Sequence, residues 1–180
     1  GIYFDFRSLY GKHELVEKLH NKLMDLSPRS RLFLKLMSEN DLDAGRPPVQ
    51  QWGWKIRRLL GFGNLTVDLK QHALRPLVMG MRTLALSAGI TDSHSLERIR
   101  ELEKRGELSA NLSQALQSAY DFIMLLKIRR NFITHENENL SGNEVSLKQL
   151  NPLEQRFLEE SLKVILRLQD EVYARFGGIP

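Results

Sequence analysis

The chain has 180 residues, with 26 Lys plus Arg against 22 Asp plus Glu, 42% hydrophobic residues, no Cys and a formal charge of +4. A chain of this length buries roughly 70% of its unfolded surface, enough for a single core without disulfides or a structural metal, which excludes disorder and mini-protein scaffolds. The absence of Cys excludes thiol nucleophiles, Cys-based zinc sites and iron–sulfur ligation, and it predicts a reducing compartment, the cytoplasm.

Residues 2–7 alternate Ile2, Phe4 and Phe6 with Tyr3, Asp5 and Arg7, the period of a half-buried strand. No later segment pairs convincingly with it, so the strand is expected to belong to a sheet upstream of this chain, with Ser8 to Lys12 leading away. No basic leader precedes an apolar segment there, so no signal peptide is expected. From Lys12 to Leu26, Leu15, Leu19, Leu23 and Leu26 recur at helical spacing. After Ser27-Pro28 a second helix carries Leu32, Phe33, Leu36 and Met37, and the two are expected to form an antiparallel pair. Residues 41–67 combine Gly45, Pro47, Pro48, Gly53, Gly61 and Gly63 with Trp52, Trp54 and Phe62, and read as an ordered loop or hairpin.

A third helix is predicted over Gln71–Ala88, ended by Gly89, and a fourth over Ser95–Arg105, ended by Gly106. Ser109 is the expected N-cap of a long helix reaching His135, followed by a polar loop over Glu136–Gln149. Asn151-Pro152-Leu153-Glu154 then supplies a cap, a proline at the first helical position and a glutamate at the third, opening a last amphipathic helix to Phe176. No apolar run approaches the roughly 20 residues of a bilayer span. The expected fold is all-α, a bundle of about five to six helices behind a short N-terminal strand.

Within residues 76–91 the one charge is Arg82, on a helix apolar nearly all round. A buried guanidinium needs a partner, either a structural one such as Asp68 or a helix-end carbonyl, or a ligand phosphate or carboxylate. In the long helix Ala115, Ala119, Phe122, Leu126, Arg129 and Ile133 share one seam, which makes Arg129 a second inward cation. Lys127 and Arg130 fall on another face and complement the helix dipole. Asp41-Leu42-Asp43 has the look of a metal-binding pair, but no Gly-Ser turn precedes it to hold a triphosphate, so it is set aside. No two histidines are spaced as a helical zinc site, and P-loop, dinucleotide and nucleophile-elbow motifs are absent. Lys55, Arg57 and Arg58 among Trp52, Trp54 and Phe62 suggest RNA contact only weakly, since a charge of +4 is a weak field and a solvated basic loop is the commoner arrangement.

Over nearly its whole length the sequence resembles the substrate-binding domain family of nucleotidyltransferases, the helical C-terminal part of bacterial enzymes that often also carry cyclic-nucleotide-binding and CBS domains. The resemblance rests on Phe4-Asp5-Phe6-Arg7 with Gly11, Asp68-Leu69-Lys70, and Leu74, Pro76, Arg82 and Ala85-Leu86 ending in Ala88-Gly89-Ile90. Arg98, the turn Gly106 to Ser109 and Leu150-Asn151-Pro152-Leu153-Glu154 complete it. At Arg130-Asn131 the sequence departs from the His-Gln common in the family.

The resemblance implies an upstream nucleotidyltransferase domain, similar to protein-PII uridylyltransferases, that uses Mg²⁺ and a nucleoside triphosphate. Residues 1–11 would be that domain's terminal strand and residues 12–180 the helical substrate-binding domain. It implies a catalytic and metal-binding role for Asp5, as the third carboxylate of the metal set. The other two carboxylates and the triphosphate-holding Gly-Ser turn are missing, so the chain alone is expected to bind a nucleotide or phosphorylated substrate rather than catalyse. Lys70, Arg82, Arg98 and Arg129 are the expected basic lining of its cleft. The acceptor of the parent enzyme includes proteins among its candidates, and neither a membrane nor nucleic acid is expected as a partner. The alternative is a regulatory interaction bundle whose basic residues are structural.

Overall fold

The computed structural model describes residues 10–43, 45–48, 66–135 and 143–178. The expected N-terminal strand with Asp5, the aromatic segment with Lys55, Arg57 and Arg58, and the 136–142 part of the expected loop lie outside the described residues. Among the described residues there are six α-helices: α1 His13–Leu26, α2 Arg31–Asp43, α3 Arg75–Ser87, α4 Ser95–Lys104, α5 Ala110–His135 and α6 Pro152–Phe176. The architecture is the expected all-α bundle.

Local chemistry sets the boundaries. Gly89 and Gly106 adopt φ of +65° and +72°, the left-handed conformation that ends α3 and α4 at little cost. At α5 the Ser109 hydroxyl accepts the Leu112 N–H at 3.3 Å. At α6 the Asn151 side chain accepts the Glu154 N–H at 2.9 Å, and the Glu154 carboxylate accepts the Asn151 N–H at 2.8 Å. This reciprocal capping box satisfies two donors that the helix itself cannot.

Two expectations are corrected. The segment before α6, read as a loop, contains strand β2 Glu144–Ser146, which pairs antiparallel with β1 Thr66–Asp68 in the register Val67↔Val145. Each strand is three residues long, too short for its alternation to stand out in sequence. Leu69 extends the ladder by donating to the Asn143 carbonyl at 2.9 Å, and Val67 and Val145 plug the core beneath it. Helix α1, expected to pair with α2, buries none of its side chains, and Leu15 and Leu19 remain 64% and 53% exposed. Its C-terminal end is tied in through Met24 against the Met37, Met79 and Leu86 cluster and through the Ser27 hydroxyl near the Leu86 carbonyl.

Helix α3 is the central element, with Leu77, Met81, Leu84 and Ala85 in the main core and Met79 and Leu86 in the smaller cluster toward α2. Gly80 lets α6 approach closely: a Cβ there would meet Leu168 Cδ2 at 3.0 Å. A π-helical turn, Lys70–Leu74, feeds into α3 and is closed by the Arg75 N–H on the Lys70 carbonyl. The Asp68 carboxylate caps this turn by accepting the Gln71 N–H at 2.8 Å.

Candidate functional site

The π-turn positions the site. Such turns change which face a helix presents, and they recur at functional positions. Here the turn brings Lys70 beside Leu74 and Arg75, and one face of α3 continues the row through Val78, Met79 and Arg82. Lys127 from α5 and Asn40 from α2 complete the walls of a cleft of about 670 Å³. Four cationic side chains and one amide line it, with no carboxylate among the described lining residues.

Arg82 is the buried member, 6% exposed, and its Nη1 lies 3.1 Å from Met79 Sδ. Arg82 thus lines the cleft from a largely buried position, where a long side chain can keep its apolar stem inside an otherwise apolar helix face. Lys70 and Arg75 are exposed and Lys127 is half-buried. Asp68 is committed to capping the π-turn.

The other two expected cations lie elsewhere. Arg98 is buried near the start of α4, where its Nε donates to the Asp92 carbonyl at 2.6 Å, holding the α3–α4 connection. Arg129 has a side chain 45% exposed and forms an ion pair with Glu154 at 2.6 Å. The α5 row that faces the core is Leu112, Leu116, Ala119, Ile123, Leu126 and Arg130, so Arg130 takes the inward place that the seam reading gave to Arg129. Arg130 Nη1 lies 3.4 Å from Gln149 Oε1, and both arginines line a second depression of about 290 Å³ with Gln149 and Val145. The Arg129 hydrogen bond, joined by the Asn151 N–H, holds the Glu154 carboxyl below its ordinary range. Arg129→Met should therefore cost no more than about 1 kcal/mol, as for an exposed pair, and leave phosphate binding unchanged. A thermal melt and an anion titration of that variant check both.

Sequence reasoning missed Arg75 and Asn40 and gave Lys127 only a helix-dipole role. The signal was indirect, because a π-turn has no sequence signature that shows which cations it will bring together. It also left unread the burial of Asp41. This residue of α2 is 1% exposed, and Gly80 of α3 sits beside its Oδ2, 3.5 Å from where a Cβ would be. Gln169 of α6 donates to the Asp41 main-chain carbonyl at 3.2 Å and to the Gly45 carbonyl at 3.4 Å. Neither carboxylate oxygen has a donor among the described residues, and Gln169 Oε1 has none either. Burial pushes the Asp41 carboxyl up to about 7, against the smaller opposing pull of the Gln169 amide and the Arg75 charge. Asp43 is exposed, so the Asp41–Asp43 pair does not converge on one point. Among the described residues no three His, Asp or Glu side chains gather as a metal site, and no helix is long and apolar enough to cross a membrane.

No curated protein and no solved structure matches the chain. The sequence pattern of one family, described as "Putative nucleotidyltransferase substrate binding domain", matches residues 31–176, a span that runs from the start of α2 to the end of α6 and takes in every residue of the basic cleft. The chain belongs to this nucleotidyltransferase substrate binding domain family.

Proposed function

We propose that the domain holds the phosphates of a nucleotide or phosphorylated substrate in the cleft between α2, α3 and α5, and presents it to a nucleotidyltransferase domain of the protein-PII uridylyltransferase type. The observation that carries this reading is the one-signed lining, in which Lys70, Arg75, Arg82 and Lys127 converge without a carboxylate among the described lining residues. Cations gathered this way set up a local positive field that favours an anion. The planar forks of Arg75 and Arg82 suit phosphate oxygens, while the lysines act as point charges. The cleft volume falls within the roughly 300 to 1,000 Å³ usual for small-molecule sites.

Transfer chemistry in this reading belongs to the catalytic domain. Mg²⁺ and the triphosphate would be used there, with Asp5 as the residue the resemblance assigns to the metal, in a cytoplasmic bacterial enzyme. The exposed Leu125, Ile128 and Phe132 along α5 favour a second reading, a regulatory protein-interaction bundle.

Calorimetric titration separates the two. Inorganic triphosphate and a nucleoside triphosphate should bind and weaken steeply with salt, and an uncharged nucleoside should bind far less. The double variant Lys70→Gln/Lys127→Gln should lose about tenfold or more in affinity, since a hydrogen bond to a charged group contributes about 1.5 to 3 kcal/mol. Absence of triphosphate binding, or equal binding of the bare nucleoside, would overturn the phosphate reading.

A further inference from the structure

The residue next to Asn40 of the cleft wall is Asp41, whose side chain turns away from the cleft into the junction of α2, α3 and α6. Three acceptor oxygens, Asp41 Oδ1 and Oδ2 and Gln169 Oε1, are buried there without a donor among the described residues. Buried oxygens without a donor of their own are costly, and the nearby Gln169 amide N–H is turned to the Asp41 and Gly45 carbonyls, so its pull on the carboxylate is smaller than the cost of burial. A single proton on Asp41 changes that, since a neutral carboxylic acid is itself a donor and no longer a buried charge.

The surroundings are explicit. From α3 the charged group that acts on Asp41 is Arg75, which also lines the cleft. From α6 the neighbour is the neutral Gln169, and the next residue, Asp170, is exposed and held by Arg46 at 3.0 Å. On α2 itself Asp43 is exposed. One cation, Arg75, is therefore shared between the buried acid and the anion cleft.

We propose that Asp41 is a proton-linked regulator of the cleft: when a polyphosphate occupies the basic lining, Asp41 takes up a proton, and affinity for the polyphosphate falls as pH rises through neutrality. With the cleft empty, the field of Arg75 favours the carboxylate. A bound polyphosphate neutralises Arg75 and adds negative charge nearby, so the carboxylate loses that support and the neutral acid is favoured. Linkage makes the relation reciprocal, and protonation of Asp41 strengthens polyphosphate binding by the same factor. This rests on the phosphate reading of the cleft.

The test titrates the whole chain with inorganic triphosphate at constant ionic strength between about pH 6 and about pH 8, in two buffers of different ionisation enthalpy. The wild type should lose about fivefold more affinity over this range than Asp41→Asn, the low end of typical coupling between sites. The comparison cancels the titration of the ligand and of the histidines. The buffer dependence of the heat should report proton uptake in the wild type and less in Asp41→Asn. Arg75→Gln should bind more weakly and show the flattened pH profile. Parallel profiles for the wild type and Asp41→Asn, with triphosphate bound by both, would overturn the linkage and leave the cleft reading standing. Failure of both to bind would overturn the cleft reading and the linkage with it.

Discussion

Asp41→Asn should raise stability at about pH 8 by about 2 to 4 kcal/mol and change it little at about pH 4. The carboxyl is held at about 7 in the folded chain against an ordinary 3.8. A group raised in this way keeps its proton longer when folded than when unfolded. The folded state thus binds more protons between these two values, and stability falls as pH rises through the window, most steeply up to neutrality. The ceiling follows from the width of the window at about 1.4 kcal/mol per pH unit. Asparagine removes the charge while keeping the shape, and its amide supplies the donor that Gln169 Oε1 lacks among the described residues. For a chain of this size the gain corresponds to a midpoint shift on the order of 10 °C. Thermal melts of both forms across the pH range check it. A variant less stable than wild type at about pH 8 would mean that the junction needs the charge.

A residue that costs stability at neutral pH fits a position kept for something other than folding. In Asp41 that cost and the proposed proton linkage are one property. The carboxyl is expensive because nothing described donates to it, and it responds to the cleft because Arg75, the cation acting on it, belongs to the cleft lining.

Much of the scaffold was legible in the sequence because its boundaries are made by local chemistry. The capping box at Asn151 and Glu154 needs four adjacent residues, and Gly89 and Gly106 stop their helices by their own conformation. The burial of Arg82 was legible for a related reason, since a lone charge on an apolar helix has few places to go. The remaining site depended on rotation and tertiary contact. A seam drawn through Arg129 instead of Arg130 differs by one residue, about 100° around the helix, and that step separates an exposed ion pair with Glu154 from a buried side chain near Gln149. The π-turn that carries Lys70 to Arg75 rephases the helix in a way no periodicity count includes. Asp41 reads in sequence as half of an Asp41-Leu42-Asp43 pair, and its burial follows from Gly80 and Gln169, which are distant in sequence.

Arg82→Met should remove most triphosphate binding, with a loss of about 10-fold to 100-fold. Of the four cations lining the cleft, Arg82 is the one whose side chain is buried, so its guanidinium acts in a medium of lower dielectric than those of Lys70 and Arg75, where the same charge counts for more. Burial also restricts its side chain, whose Nη1 lies 3.1 Å from Met79 Sδ one turn earlier on the same face. A preordered fork loses less freedom on binding than an exposed lysine, so its removal should cost more than Lys70→Gln alone. Methionine keeps much of the stem's volume and limits repacking. Titration with inorganic triphosphate and a melt of the free protein are read together. Lost binding in a variant that melts near the wild type supports the phosphate role. A variant destabilised by about 3 to 5 kcal/mol would show that the guanidinium holds a buried carboxylate, and Arg82→Lys, which keeps the charge but not the fork, would then carry the binding test. Undiminished triphosphate affinity in Arg82→Met would remove Arg82 from the site.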